Sequence, residues 1–197
     1  MIKTILFDLD GLIIKKQEKM FSQRLSERVG LSWEKILEFF NGDFRECSFG
    51  RADLKEKILP YLEKWNYKGT VDDFLKFWFE GEGEIDKDVL DIVKSLRLKG
   101  IKCYISTRQE KYKKEYIWIK LNLKDCFDGI FCTCDIGCDK WQKEYWDYVF
   151  NNLKLKPEEV MFFCDSDKNI KSANDIGIEA YLYTGVVSLK DNLKKFL

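Results

Sequence analysis

The alternation of short apolar runs with helical spacing in the second half of the chain restricts its possible folds most. Five runs have the length of buried strands, and stretches with apolar residues every three or four positions separate the last four. The runs cover residues 2–9, 103–106, 127–132, 160–164 and 179–183. Because strands that alternate with helices usually pair in parallel and are covered on both faces, this pattern predicts an α/β fold with a three-layer, Rossmann-like core.

A purely helical region interrupts this pattern early in the chain. Between residues 18 and 79 the apolar spacing is helical throughout, and nothing indicates a strand. The segment 81–84 that follows is polar and contains two glycines, which is typical of a flexible joint. The sequence therefore predicts a core of residues 1–14 and 85–197, with residues 15–84 inserted as a small α-helical domain.

Polar residues follow several of the predicted strands. Asp8 and Asp10 come at the end of the first, Thr107 follows the second, and Asp165 follows the fourth. Because the carboxyl ends of parallel strands meet at one edge of a sheet, we expect these side chains to converge. Each also has a plainer interpretation, since Asp-Gly forms turns, Thr107 suits a helix N-cap and Asp165 suits a turn. The individual residues leave both interpretations open.

Composition excludes several classes of function. Lys and Arg total 34, as do Asp and Glu, and the two signs are interspersed, so no basic face is expected to bind nucleic acid. The absence of histidine excludes His-dependent triads and His metal centres. Cys132, Cys134 and Cys138 form a cluster, but structural zinc sites usually need four ligands. The apolar N-terminal segment is too short for a signal peptide or a membrane span, so we expect a cytosolic (cytoplasmic) chain without a membrane partner.

Four motifs in order carry a family resemblance. Residues 4–11, which end in Asp8-Leu9-Asp10-Gly11, resemble the first signature of the haloacid dehalogenase superfamily. Thr107 matches the second signature, with Ser106 as the alternative register, and Lys140 before a helix matches the third. Residues 162–169, Phe-Phe-Cys-Asp-Ser-Asp-Lys-Asn, match the fourth. The resemblance spans the chain and implies a Mg²⁺-dependent phosphohydrolase.

The resemblance also implies a role for each signature residue. Asp8 would attack phosphorus and form an aspartyl-phosphate, while Asp10 would protonate the leaving oxygen and later activate water. Thr107 would hydrogen-bond the phosphoryl group, and Lys140 would offset its charge. Mg²⁺ would be held by Asp8, the carbonyl of Asp10 and Asp165, since it prefers oxygen ligands.

The helical insertion stands where the family places a small cap over the site, and it is similar to the caps of sugar-phosphate phosphatases. A small phosphorylated metabolite is therefore the expected substrate, selected largely by this cap, residues 15–84. Arg45 and Arg51 in the cap are candidate substrate contacts, as are Ser106 and Arg108 beside the second signature.

Two departures from the common signatures keep other functions open. Cys164 precedes Asp165 where relatives have glycine or an acid, and Asn169 replaces a second acid. A degenerate, non-catalytic binding protein is one alternative to the phosphatase. A phosphomutase is the other, because it shares the four signatures. The sequence does not indicate an oligomeric state.

Overall fold

A parallel five-stranded sheet forms the centre of the molecule. The computed structural model describes residues 1–197. The strands are β1 (Thr4–Phe7), β2 (Lys102–Thr107), β3 (Gly129–Cys132), β4 (Val160–Cys164) and β5 (Glu179–Leu182). They lie in the order β3-β2-β1-β4-β5, and every neighbouring pair is parallel. The predicted α/β fold is confirmed.

Successive residues of β1 point into different hydrophobic clusters, because side chains alternate along a strand. Ile5 and Phe7 lie in a cluster with residues of α6 (Lys87–Leu98) and α11 (Val186–Leu193). Leu6 lies in a second cluster with residues of α9 (Lys143–Leu153) and α10 (Asp167–Asp175). Helices therefore cover both faces of the sheet, which gives the predicted three layers.

The cap consists of helices with a core of their own. The helices are α1 (Phe21–Val29), α2 (Trp33–Asn41), α3 (Asp43–Ser48), α4 (Leu54–Lys64) and α5 (Val71–Glu80). Their apolar faces enclose a cluster of 14 buried residues that is rich in aromatic rings. Phe21, for example, stacks on Trp78 with ring centroids 4.8 Å apart. The cap therefore has aromatic and apolar contacts of its own that do not involve the strands of the sheet.

The chain enters and leaves the cap at one place. Ile14 forms an isolated antiparallel bridge with Ile85, and the Lys15 N–H donates to the Glu84 carbonyl at 2.9 Å. Paired backbone at this point supports a division of the chain near residues 14 and 85. The two-domain division itself stays a prediction.

The cap also touches the core on its far side, after β3. The short helix α8 (Thr133–Ile136) follows that strand, and its Thr133 hydroxyl donates to the Ser48 carbonyl at 2.8 Å. Arg51 Nη2 donates to the Gly137 carbonyl at 2.9 Å. These contacts hold the cap against the sheet edge where the strands end.

Some elements differ from the sequence-based expectation. β3 begins at Gly129, two residues after the start of the predicted run of residues 127–132. α7 (Lys111–Glu115) continues into a π-helical turn over Tyr116–Lys120. α11 was not predicted, because only Leu189 and Leu193 of its eight residues are fully buried and its apolar pattern is short. None of the helices combines the length and the apolar character needed to cross a bilayer.

Candidate active site

Asp8 lies at the carboxyl end of the central strand. Its backbone N–H continues the β1–β4 pairing by donating to the Phe163 carbonyl at 2.8 Å. The side chain is buried, with 6% of the residue exposed. Its Oδ1 accepts a hydrogen bond from the Leu9 N–H at 2.8 Å. The carboxylate is thus held in one orientation by its own strand end.

Lys140 supplies the positive charge beside this carboxylate. Its Nζ lies 2.6 Å from Asp8 Oδ2 and also donates to the Ser106 carbonyl at 3.4 Å. Burial alone would lower the pKa of Lys140, but the charge of Asp8, its hydrogen bond to Lys140 and the other acidic groups nearby together raise that pKa above its usual value. Lys140 is therefore a fixed cation at the site, although its sequence context alone resembles that of a surface lysine.

Asp10 occupies a different environment two residues further along. Gln109 Nε2 donates to Asp10 Oδ2 at 2.6 Å. Part of Asp10 is open to the adjoining cavity, but protein surrounds its other sides. This desolvation, with the negative charges of Glu82 and Asp8, raises the pKa of Asp10 to about 7. A carboxyl group with such a pKa can both donate and accept a proton near neutral pH.

Gly11 shapes the turn that carries these two acids. Its φ of +77° lies in the left-handed region, which favours glycine. A Cβ at this position would lie 2.4 Å from Asp165 Oδ2. Gly11 therefore allows the loops after β1 and β4 to approach, which the D-x-D-G motif alone does not reveal.

The loop after β4 completes a group of metal-capable side chains. Ligand atoms of Asp8, Cys164 and Asp165 all lie within 4.8 Å of one another. The Cys164 thiol donates to Asp8 Oδ2 at 2.6 Å, and burial, together with the charge of Asp8, raises its pKa to about 12. Asp165 forms an ion pair with Lys16 of the cap at 2.8 Å. Asn169 Oδ1 is buried without a hydrogen-bond partner.

The structure separates the two candidate residues of the second signature. Ser106 Oγ is engaged with the Tyr145 hydroxyl at 2.7 Å. Thr107 Oγ1, in contrast, is buried and has no hydrogen-bond partner. A buried hydroxyl without a partner is rare and suits a residue whose partner is a ligand. The contrast favours Thr107 over Ser106 as the residue of the second signature, although Thr107 is fully buried and does not line the cavity beside Asp8; its contact with a phosphoryl group stays a prediction.

A cavity of about 690 Å³ opens at this edge of the sheet, between core and cap. Asp8, Asp10, Lys140, Asp165 and Arg108 all line it. Its volume falls within the usual range for sites that bind small molecules.

The structure does not bring the two cap arginines to this cavity. Arg45 and Arg51 line a smaller neighbouring cavity of about 420 Å³. Both guanidinium groups lie over the Phe49 ring, at 5.9 and 5.0 Å from its centroid. Arg108, which lines the large cavity, also lies over this ring, at 5.5 Å, and the two cavities share Asp139 and Trp141 in their walls. Contact of Arg45 or Arg51 with a substrate stays a prediction.

Sequence reasoning missed several residues that line or adjoin the large cavity. They are Lys16, Arg24, Glu82 and Gln109. Gln109 follows Thr107 by two residues, so its position after a strand end was a usable signal. The other three lie in the cap, where only the packing of helices against the core determines which polar residues face the site.

Comparison with known proteins identifies the family. The family model for haloacid dehalogenase-like hydrolases matches residues 5–183. The chain belongs to the haloacid dehalogenase-like hydrolases. The family predicted from the four motifs is confirmed.

Curated relatives of this hydrolase family member are distant. It is 26% identical over 208 residues to enolase-phosphatase E1 of Aquifex aeolicus, covering 91% of this chain and 88% of that one. It is 22% identical to the D-ribitol-5-phosphate phosphatase of Bacteroides thetaiotaomicron, covering 92% and 91%. The match to rat bifunctional epoxide hydrolase 2, at 28% identity, covers 56% of this chain but only 21% of that protein.

Solved structures agree on the fold. A predicted haloacid dehalogenase-like hydrolase from Porphyromonas gingivalis superposes with a TM-score of 0.81 at 20% identity, covering 98% of both chains. A Bacteroides thetaiotaomicron enzyme of the family, solved with magnesium and inorganic phosphate, gives 0.78 at 21% identity, covering 92% and 93%. The Rossmann-like core with a helical region is therefore shared across these hydrolases.

Proposed function

We propose that this hydrolase is a phosphatase that cleaves a small phosphorylated metabolite through an aspartyl-phosphate on Asp8. The observation that carries the proposal is the pairing of a buried Asp8 carboxylate with Lys140 Nζ at 2.6 Å, where both residues line the large cavity. A carboxylate fixed beside a cation and open to a cavity has the geometry of a nucleophile for an anionic substrate. The phosphatase relatives support the same reaction class.

In the first step, Asp8 attacks phosphorus while the bond from phosphorus to the leaving oxygen breaks. Asp10 gives its proton to that oxygen, which its pKa of about 7 allows near neutral pH. Lys140 offsets the charge shared between Asp8 and the phosphoryl group. The free hydroxyl of Thr107 donates a hydrogen bond to the phosphoryl group.

In the second step, Asp10 acts as a base. It takes a proton from water as the water oxygen bonds to phosphorus and the bond to Asp8 breaks. Inorganic phosphate leaves, and both carboxyl groups return to their starting states. Gln109 keeps the Asp10 side chain in place through its hydrogen bond of 2.6 Å. One residue with a pKa near 7 can thus serve both half-reactions.

Mg²⁺ fits the donor groups present. Asp8 and Asp165 offer carboxylate oxygens, and the unpartnered Asn169 Oδ1 is a further oxygen on the same wall of the cavity. We assign Asp8, the Asp10 carbonyl and Asp165 as the residues that would hold the ion. When bound, Mg²⁺ would draw electron density from the phosphoryl oxygens and so favour attack on phosphorus. Cys164 adds a softer sulfur atom beside these oxygens.

The test is phosphate release from p-nitrophenyl phosphate with Mg²⁺, comparing wild type with Asp8→Asn. We expect Asp8→Asn to lose on the order of 10³-fold or more in kcat, because it removes the nucleophile while keeping its size. Asp167→Asn is the matched control. Asp167 lies two residues after Asp165, but it is exposed and does not line the cavity. Comparable turnover by Asp8→Asn and Asp167→Asn would rule out the proposed role of Asp8.

A further inference from the structure

Arg24 of α1 is a cation without a partner in the catalytic cavity. It lines the same cavity as Asp8 and Lys140. Its Nε and Nη2 atoms are buried and have no hydrogen-bond partner. The guanidinium lies near the rings of Phe21 and Phe77, at 5.6 and 5.9 Å from their centroids. Aromatic rings attract a cation, but they do not replace an oxygen atom as the acceptor of its N–H hydrogen bonds.

The other cations that line this cavity differ from Arg24. Five of them have an acidic partner, and the sixth, Lys168, is exposed and lies over the Trp141 ring. The pairs are Lys15–Asp86, Lys16–Asp165, Lys19–Glu27, Arg108–Asp139 and Lys140–Asp8. Arg24 is partly buried, and burying part of a charged group without a partner costs free energy. No acidic residue of the chain forms an ion pair with Arg24.

The hinge of the cap provides room for the Arg24 side chain. A Cβ at Gly81 would lie 2.1 Å from Arg24 Nη1. The φ of Gly81 is −94°, which other residues also adopt, so the backbone conformation does not require glycine here. The absence of a side chain at Gly81 instead lets the guanidinium lie against the backbone where cap and core join.

We infer that Arg24 binds a second anionic group of the substrate, a carboxylate or a second phosphate, while its scissile phosphate lies at Asp8. The inference rests on the proposed phosphatase function and narrows its substrate class. The planar fork of a guanidinium suits two oxygens of either anion, and charge-assisted hydrogen bonds are the stronger kind. Arg24 acts here as a specificity residue and takes no part in the chemical steps.

The experiment measures binding in the Asp8→Asn background, so that it does not depend on turnover. Calorimetry gives the Kd of 3-phosphoglycerate and of glycerol 3-phosphate, which differ by one carboxylate. Fructose 1,6-bisphosphate and fructose 6-phosphate form the second pair and distinguish a phosphate from a carboxylate. In at least one pair we expect the member with two anionic groups to bind about tenfold or more tightly than the member with one. Adding Arg24→Met should abolish that preference.

Arg28→Met is the matched control, because Arg28 lies one helical turn away on the same Phe77 ring, at 4.1 Å, but outside the cavity. It should keep the preference. Gly81→Ala tests the role of Arg24 without removing it, because the added methyl group displaces the guanidinium. This variant should also reduce the preference, and it provides the test if Arg24→Met folds poorly. Equal binding within both pairs, or a preference that survives Arg24→Met and Gly81→Ala, overturns the inference. If the preference depends on Arg24 but the wild-type protein releases no phosphate from any substrate, the anion site at Arg24 is supported and the proposed phosphatase function is wrong.

Discussion

The sheet rim and the cap face of the cavity differ in how their charges are balanced. On the rim, which comprises Asp8, Lys140, Cys164 and Asp165, each carboxylate has a cation within 2.8 Å. On the cap face, which we define as Phe21 and Arg24 with Gly81 beside the guanidinium, Arg24 has no acidic partner. The rim is organised before a substrate arrives, as catalysis by a fixed electrostatic environment requires. The cap face leaves its charge for a ligand to neutralise.

The two regions also differ in the structural features that position their residues. The rim residues are positioned by the ends of strands and by tight turns such as the one at Gly11. This backbone geometry restricts which residues can stand there. The cap face depends on which residues of α1 point toward the hinge. We therefore expect chemistry to respond to rim substitutions and substrate preference to respond to cap substitutions.

The largest effect should come from breaking the charge pair of the rim. Lys140→Met should lower kcat by about 10²–10³-fold, because a fixed cation at the transferring phosphoryl group is lost. It should also destabilise the protein by about 3–5 kcal/mol, since Asp8 is left buried and unpaired. Steady-state kinetics and denaturant unfolding give the two values.

The control for this substitution is Lys143→Met, which removes an exposed lysine paired with Asp147 on α9. It should change neither quantity appreciably. Adding Asp8→Asn to Lys140→Met should restore part of the stability but no activity. If the double variant is less stable than Lys140→Met alone, the buried pair does not explain the loss.

A buried acid at the start of α7 should produce a smaller, pH-dependent effect on stability. Glu110 caps α7 by accepting from the Tyr112 and Lys113 N–H groups, and burial raises its pKa to about 7. The folded state therefore holds a proton that the unfolded state releases between about pH 4.5 and 7. Stability from this group is present at low pH and is lost as pH rises toward 7.

Glu110→Gln isolates this contribution. The free energy of unfolding of the wild type, relative to that of Glu110→Gln, should fall by roughly 2–3 kcal/mol between pH 5 and pH 8. Denaturant titrations in the presence of a chelator measure both values. Glu115→Gln is the control, because Glu115 is an exposed residue of the same helix. A difference between wild type and Glu110→Gln that does not change with pH would show that Glu110 is ionised in the folded state throughout.

The smallest effect concerns the one ion pair that joins cap to rim. Lys16 is 71% exposed, and its contact with Asp165 at 2.8 Å competes with any cation at that carboxylate. Lys16→Met should tighten Mg²⁺ binding by at most about fivefold, since exposed ion pairs contribute up to about 1 kcal/mol. Calorimetric Mg²⁺ titration measures this, with Lys15→Met as the neighbouring control. Equal Mg²⁺ affinity in all three proteins would show that Lys16 does not compete.

The sequence predicted the rim better than the cap face for a physical reason. β4 has the predicted bounds of residues 160–164, because a buried strand leaves a local apolar run in the sequence. The contact of Gln109 with Asp10 joins residues 99 positions apart. This contact depends on how the loops after β1 and β2 approach each other in the folded protein, and no local sequence pattern records such a tertiary arrangement. The position of Arg24 escaped prediction for the same reason.

The central claim is that phosphate passes through Asp8, and one measurement tests it directly. In Asp10→Asn with p-nitrophenyl phosphate, the leaving group needs little protonation, so the first step should proceed while hydrolysis of the intermediate lacks its base. Rapid mixing followed by acid quench and mass spectrometry should show a burst of nitrophenolate and a hydroxylamine-labile phosphoryl group on Asp8. Continued phosphate release from that variant with no phosphorylated Asp8 at any time point would contradict the account.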